Sequence, residues 1–191
     1  MALIAILAVP LIAAANSPLL AWRDPVYILA GFAGVMSMGL LLLQPLLAGR
    51  VLPGLSPMIS RRWHRWVGVT LVAAVLIHVG GLWVTSPPDV VDALFFVSPT
   101  PFSAWGVVAM WAAFAAALLG VFRQRFTLRY RVWRLGHTGL ATVTIIGSVV
   151  HAMLIEGTME IMTKTALCVL VLSASARTLA RLRVWDTRRR S

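Results

Sequence analysis

A chain of 191 residues that is 60% hydrophobic and only 12% charged is too apolar for an ordinary soluble domain and fits an integral membrane protein. The net charge of +11 does not indicate nucleic-acid binding, because the basic residues fall in short clusters between apolar runs, as in cytoplasmic loops of membrane proteins. The single cysteine, Cys168, lies within an apolar run, so the chain alone builds neither a disulfide framework nor an iron–sulfur cluster.

Six apolar runs approach the ~20 residues that a bilayer core requires: 2–22, 26–48, 64–85, 104–122, 137–158 and 160–180. They predict an all-α fold, one bundle of six transmembrane helices forming a single domain over 1–191. The first run ends in small residues, as a cleavable signal peptide does. It lacks a basic n-region, however, and its apolarity resumes at "PLLAW", so a retained helix bent by Pro10 and Pro18 is expected. The longest polar connections, 49–63 and 86–103, read as proline-bearing loops.

Sorted by connection in this six-helix scheme, fifteen arginines fall on one side: Arg50, Arg61, Arg62, Arg65, Arg123, Arg125, Arg129, Arg131, Arg134, Arg177, Arg181, Arg183, Arg188, Arg189 and Arg190. Arg23 and Lys164 alone fall on the other. The positive-inside rule then puts both termini in the cytoplasm of a multi-pass inner-membrane protein.

The third run, "RRWHRWVGVTLVAAVLIHVGG", carries His64 and His78, and the fifth, "WRLGHTGLATVTIIGSVVHAM", carries His137 and His151. These four are the chain's only histidines, and each pair is separated by fourteen residues. On a helix that separation is a rise of roughly 21 Å and a rotation about 40° short of four turns, so both members share a face. The two helices run in the same direction, which sets His64 level with His137 and His78 level with His151. A lone intramembrane histidine is as well explained by helix–helix hydrogen bonding or proton relay. Two matched pairs call for a common partner, and two imidazoles facing each other supply the two axial positions of a haem iron. Zinc, with three or four close ligands, fits less well. The four histidines are the expected iron ligands of two haems.

Gly68, Gly81 and Gly147 lie one turn from expected ligands, which suggests room for a flat macrocycle or simply close helix contact. Arg62, Arg65 and Arg134 are candidate partners for haem propionates. Trp63, Trp66, Trp133 and Trp83 read as interface anchors. Asp89 and Asp92 offer too few oxygen donors for a dedicated cation site, and Glu156 is either a polar partner beyond His151 or the mark of a helix end.

With "HRWVG" and "WRLGH" each opening a helix that bears a second histidine fourteen residues on, the chain resembles the ferric reductase-like transmembrane domain family. That family includes the membrane halves of ferric reductases and NADPH oxidases and the haem subunit of the periplasmic methionine sulfoxide reductase system. The resemblance implies that His64 with His137 and His78 with His151 hold two b-type haems, which carry electrons from the cytoplasm outward. A histidine at position 64 departs from what is common in the methionine sulfoxide reductase branch. No G-x-G-x-x-G or phosphate-cradling loop occurs, so the chain is expected to be inert with NAD(P)H alone. Its expected partners are a separate flavoprotein reductase or membrane quinol as donor, an extracytoplasmic acceptor and the lipid bilayer. A haem-free transport or scaffold bundle with proton-relay histidines is the rival from another class.

Overall fold

The computed structural model describes residues 2–123, 125, 129–157 and 159–182. The described residues form seven α-helices and no strand: α1 Ala2–Ala15, α2 Pro25–Ala48, α3 Pro57–Thr85, α4 Pro87–Leu94, α5 Pro101–Val121, α6 Tyr130–Leu154 and α7 Ile161–Leu182. A 3-10 turn, Pro18–Leu20, follows α1. By length and composition, α2, α3, α5, α6 and α7 can each cross a bilayer.

The expected count of six spans is corrected at the first helix. At fourteen residues α1 rises only about 21 Å, short of the ~30 Å hydrocarbon core. Its end is set locally: Asn16 Nδ2 bonds back to Ile12 O, and Ser17 caps the next turn with Pro18 at its first position. A proline disfavours helical backbone in the residue before it, so Pro18 stops α1 rather than bending it. Pro10 lies inside the helix.

Other boundaries moved because capping, not hydropathy, starts these helices. Asp24 accepts from Val26 N ahead of Pro25, and Ser56 accepts from Ile59 N ahead of Pro57. Proline at the first helical position gives up no hydrogen bond and pre-sets φ. Thus α3 begins seven residues before the apolar run does, and Arg61, Arg62 and Arg65 ride on its first turns. Likewise α6 begins at Tyr130 and carries Arg131 and Arg134. The connection 86–103, read as a loop, contains α4, which buries Val90 and has Asp89 in its first turn, where a carboxylate suits the helix dipole. Ser86 Oγ donates to Asp89, so that acid is occupied in starting a helix.

Two antiparallel hairpins make up the bundle. Helix α2 packs along α3, α5 packs along α6, and α7 closes against α2 and α6. Met38, Leu41, Leu42, Leu71, Ile145, Leu167, Cys168 and Val171 form the core. Leu71 stands midway between His64 and His78, and Ile145 one residue past Thr144, the midpoint of His137 and His151, so a largely apolar layer separates the two histidine levels. At the arginine-rich end Thr178 Oγ1 donates to Pro45 O (2.9 Å), tying α7 to α2. At the other end the buried Lys164 donates from Nζ to Ile155 O (2.8 Å). Sequence sorting placed Lys164 among loop cations; it is instead an internal tie between α7 and the end of α6. Glu160 accepts from the backbone N–H groups of Thr163 and Met162, which holds its carboxyl below the usual range and starts α7.

The described cations of the basic group, from Arg50 through Arg181, sit at the end where α2 and α5 finish and α3 and α6 begin. Arg183, Arg188, Arg189 and Arg190 lie outside the described residues. Large apolar side chains on the outer faces, among them Val69, Leu76, Ile77, Leu118 and Leu172, are exposed, as a lipid-facing surface requires.

Candidate functional site

The four histidines meet as the spacing predicted. The rings of His64 and His137 have centroids 6.3 Å apart at an interplanar angle of 68°. Those of His78 and His151 are 6.4 Å apart at 79°. Each pair joins α3 to α6 across the middle of the bundle.

What holds each imidazole lies on the partner helix of its hairpin. His64 Nδ1 bonds to Gln44 O (3.3 Å) and His78 Nδ1 to Ala30 O (2.8 Å), both on α2. His137 Nδ1 bonds to Ala116 O (3.1 Å) and His151 Nδ1 to Phe102 O (2.8 Å), both on α5. A carbonyl oxygen only accepts, so in all four rings Nδ1 carries the proton and donates it. The lone pair of each neutral imidazole is therefore on Nε2, the nitrogen left for a metal. The accepting carbonyls are themselves fourteen residues apart on each helix, so α2–α3 and α5–α6 are two copies of one device, offset by 72 or 73 positions.

The carbonyl that accepts from a histidine is followed, four residues on, by glycine in three of the four cases: Gly34 after Ala30, Gly106 after Phe102 and Gly120 after Ala116. A Cβ on Gly34 would lie 3.0 Å from His78 Nδ1, and one on Gly106 2.7 Å from His151 Nδ1. One on Gly120 would lie 3.9 Å from His137 Cε1. The fourth position is Ala48, beside the longest of the four bonds. These glycines let a flat ring settle against a helix backbone. Sequence reading missed them because they are on the neighbouring helix; the signal was the 72-residue interval from Gly34 to Gly106, nearly that from His78 to His151.

Gly68, Gly81 and Gly147 serve helix packing. A Cβ on Gly81 would meet Ala30 Cβ at 2.8 Å, one on Gly147 Ala109 Cβ at 3.0 Å, and one on Gly68 the Gln44 amide at 3.2 Å. The close-contact alternative accounts for all three. Steric contact also orders the ring-seating glycines. We expect Gly106→Ala to destabilise by about 1–3 kcal/mol, Gly34→Ala by less, and Gly120→Ala hardly at all. Thermal unfolding of the detergent-solubilised variants reads that order, and equal melting of all three would contradict it.

Among the described residues no three His, Cys, Asp or Glu side chains gather to hold a metal ion. Each level offers two imidazoles and nothing more from those side chains. Two imidazoles bound to one metal from opposite sides, each at about 2 Å, set their ring centroids roughly 6 Å apart, which is the separation both pairs have. The donor set fits a metal whose remaining positions are filled by a ligand of its own, as in a haem.

Of the candidate cations, Arg62 and Arg65 are exposed on the first turns of α3, and Arg134 is partly buried one turn before His137. Arg134 Cζ also lies 5.9 Å from the Tyr130 ring centroid. Glu156 is exposed just beyond the end of α6 and marks that end. Trp133 is not only an interface anchor: its ring stacks on His137, centroids 5.5 Å apart and 11° from parallel, and its Nε1 donates to Leu119 O.

Residues 33–148, from α2 almost to the end of α6, match the family model described as ferric reductase like transmembrane component. The chain belongs to that family. The matched span includes His64, His78 and His137 and stops three residues before His151. No curated protein and no solved structure matches the chain. With five apolar spans among the described residues, the family identity makes this a multi-pass membrane protein of an electron-transfer class.

Proposed function

We propose that the protein is a dihaem b electron-transfer component of the inner membrane, taking electrons from a cytoplasmic donor and delivering them to an extracytoplasmic acceptor in ferric reductase-like fashion. The observation that carries this reading is the pair of imidazole pairs, each with Nδ1 occupied by a carbonyl, Nε2 left as ligand and ring spacing suited to one iron. Bound haem would supply the one-electron ferric–ferrous couple at each level.

The chain's own residues do the rest. His64 with His137 would hold iron near the arginine-rich end, and His78 with His151 near the opposite end. The carbonyls of Gln44, Ala30, Ala116 and Phe102 fix ring orientation and raise ligand basicity. The apolar layer around Leu71 and Ile145 keeps water from between the levels. Arg62, Arg65 and Arg134 are suited to carboxylates such as propionates. The arginine asymmetry favours a cytoplasmic location for that end and for the C-terminus, and with five spans the N-terminus belongs to the opposite side. The donor is a separate flavoprotein or membrane quinol.

A reduced-minus-oxidised spectrum of the purified protein tests this directly. Sharp b-type bands with two haems per chain are expected, whereas a colourless, correctly folded preparation would leave the haem-free, proton-relay bundle.

A further inference from the structure

The duplicated histidine device is broken at one place. One turn before each histidine stand Ser60, Ala74, Trp133 and Gly147. Ser60 and Trp133 are equivalent by the repeat. Ser60 Oγ donates to Leu47 O (2.7 Å), and Trp133 Nε1 donates to Leu119 O (2.9 Å), each carbonyl three residues beyond the one that accepts from the histidine. The tether is thus kept while the side chain differs. A serine has nothing to lay on an imidazole; the indole lies nearly parallel to His137. Arg123 Cζ sits 4.4 Å from the Trp133 ring centroid and 5.2 Å from that of Tyr130, and Tyr130 itself stacks on Trp133 at 6.0 Å. A guanidinium over an indole is held by the ring's negative face.

We infer that Trp133, capped by Arg123, is a positioning residue that fixes the ring plane of His137 and biases the His64–His137 centre toward its reduced state, making the two levels unequal. This rests on the haem reading above. The chemistry is the gain of one electron by ferric iron from the proposed donor, with no proton or bond transferred. The ring of His137 is held by a carbonyl and by a stacked indole, whereas His64 has its carbonyl at 3.3 Å and, among the described residues, no stacked indole equivalent. A fixed cation near this centre stabilises the less positive iron, and the stack carries that cation toward His137 while leaving the other level beyond effective reach.

The test uses the full chain with both haems bound, as wild type, Trp133→Leu, Trp133→Phe and Arg123→Gln, read by haem content, potentiometric titration and low-temperature electron paramagnetic resonance. Trp133→Leu should keep two haems, alter the g-values of one low-spin signal and leave the other alone. Trp133→Phe, which keeps a ring but not the Leu119 bond, should largely restore the altered signal. Arg123→Gln should lower the reduced-to-oxidised ratio of one haem roughly fivefold at fixed poise, the size expected for a partly screened charge about 10 Å away. Unchanged g-values in Trp133→Leu would overturn the positioning role, and so would their failure to recover in Trp133→Phe. If Trp133→Leu does not fold, Arg123→Gln decides: an unchanged titration overturns the bias. A wild type lacking haem would overturn the reading underneath, an outcome visible before any variant is made.

Discussion

Replacing His78 or His151 by alanine should each halve the haem recovered per chain, and combining the two should remove no more than either alone. The reasoning is geometric. Each level presents two imidazoles, and among the described residues no third His, Cys, Asp or Glu joins them. Loss of one leaves an iron with a single protein ligand, while the other level, about 21 Å away along the helices, keeps its pair and its carbonyls intact. The non-additivity is the sharper part, because residues that act as a unit fail as a unit. His64→Ala and His137→Ala should behave the same way at their own level. Pyridine haemochrome assay against protein concentration measures the ratio. Full haem content in any single variant would refute the pairing, and total loss in all four would show that the levels fold together rather than separately.

How much of this site is legible in the sequence depends on where its parts lie in the chain. The histidine pairs were legible because fourteen residues on one helix fix both face and depth, and the same interval occurs on both α3 and α6. The carbonyls and ring-seating glycines of α2 and α5 were not. They act through backbone atoms and an absent Cβ, neither of which periodicity registers, and their register against the histidines is set by helix packing. The helix count failed at α1 for a local reason. Hydropathy continues through Asn16 to Trp22, but Ser17 and Pro18 end the helix whatever the surrounding apolarity. The same weakness misplaced the starts of α3 and α6, whose first turns carry arginines that a hydropathy window rejects. Trp133 was assigned to the membrane interface on composition alone. Its stacking on His137 follows from the four-residue interval between them, one helical turn.

If the protein carries the two haems proposed, the purified preparation should show no haem reduction by NADH or NADPH until a flavin reductase or a quinol is supplied. No G-x-G-x-x-G or phosphate-cradling loop occurs in the sequence. At the arginine-rich end the described surface is formed by short arginine-bearing segments, with Arg61, Arg62 and Arg65 on α3 and Arg129 and Arg131 at the start of α6 all exposed. An acidic flavoprotein would be drawn to such a face by charge complementarity. Its rate of haem reduction should therefore fall by about tenfold or more as salt rises from low to near-molar concentration, since the screening length shrinks from ~30 Å at 0.01 M to ~3 Å at 1 M. Reduction by a lipid-soluble quinol should be nearly indifferent to salt. In inverted vesicles, whose cytoplasmic face is outermost, added flavoprotein should reduce the haems, and in right-side-out vesicles it should not. Stopped-flow absorbance at the b-type bands reads all of these. Rapid reduction by NADPH in a preparation free of flavin would reveal a nucleotide site in this chain, and reduction only in right-side-out vesicles would reverse the direction of electron flow.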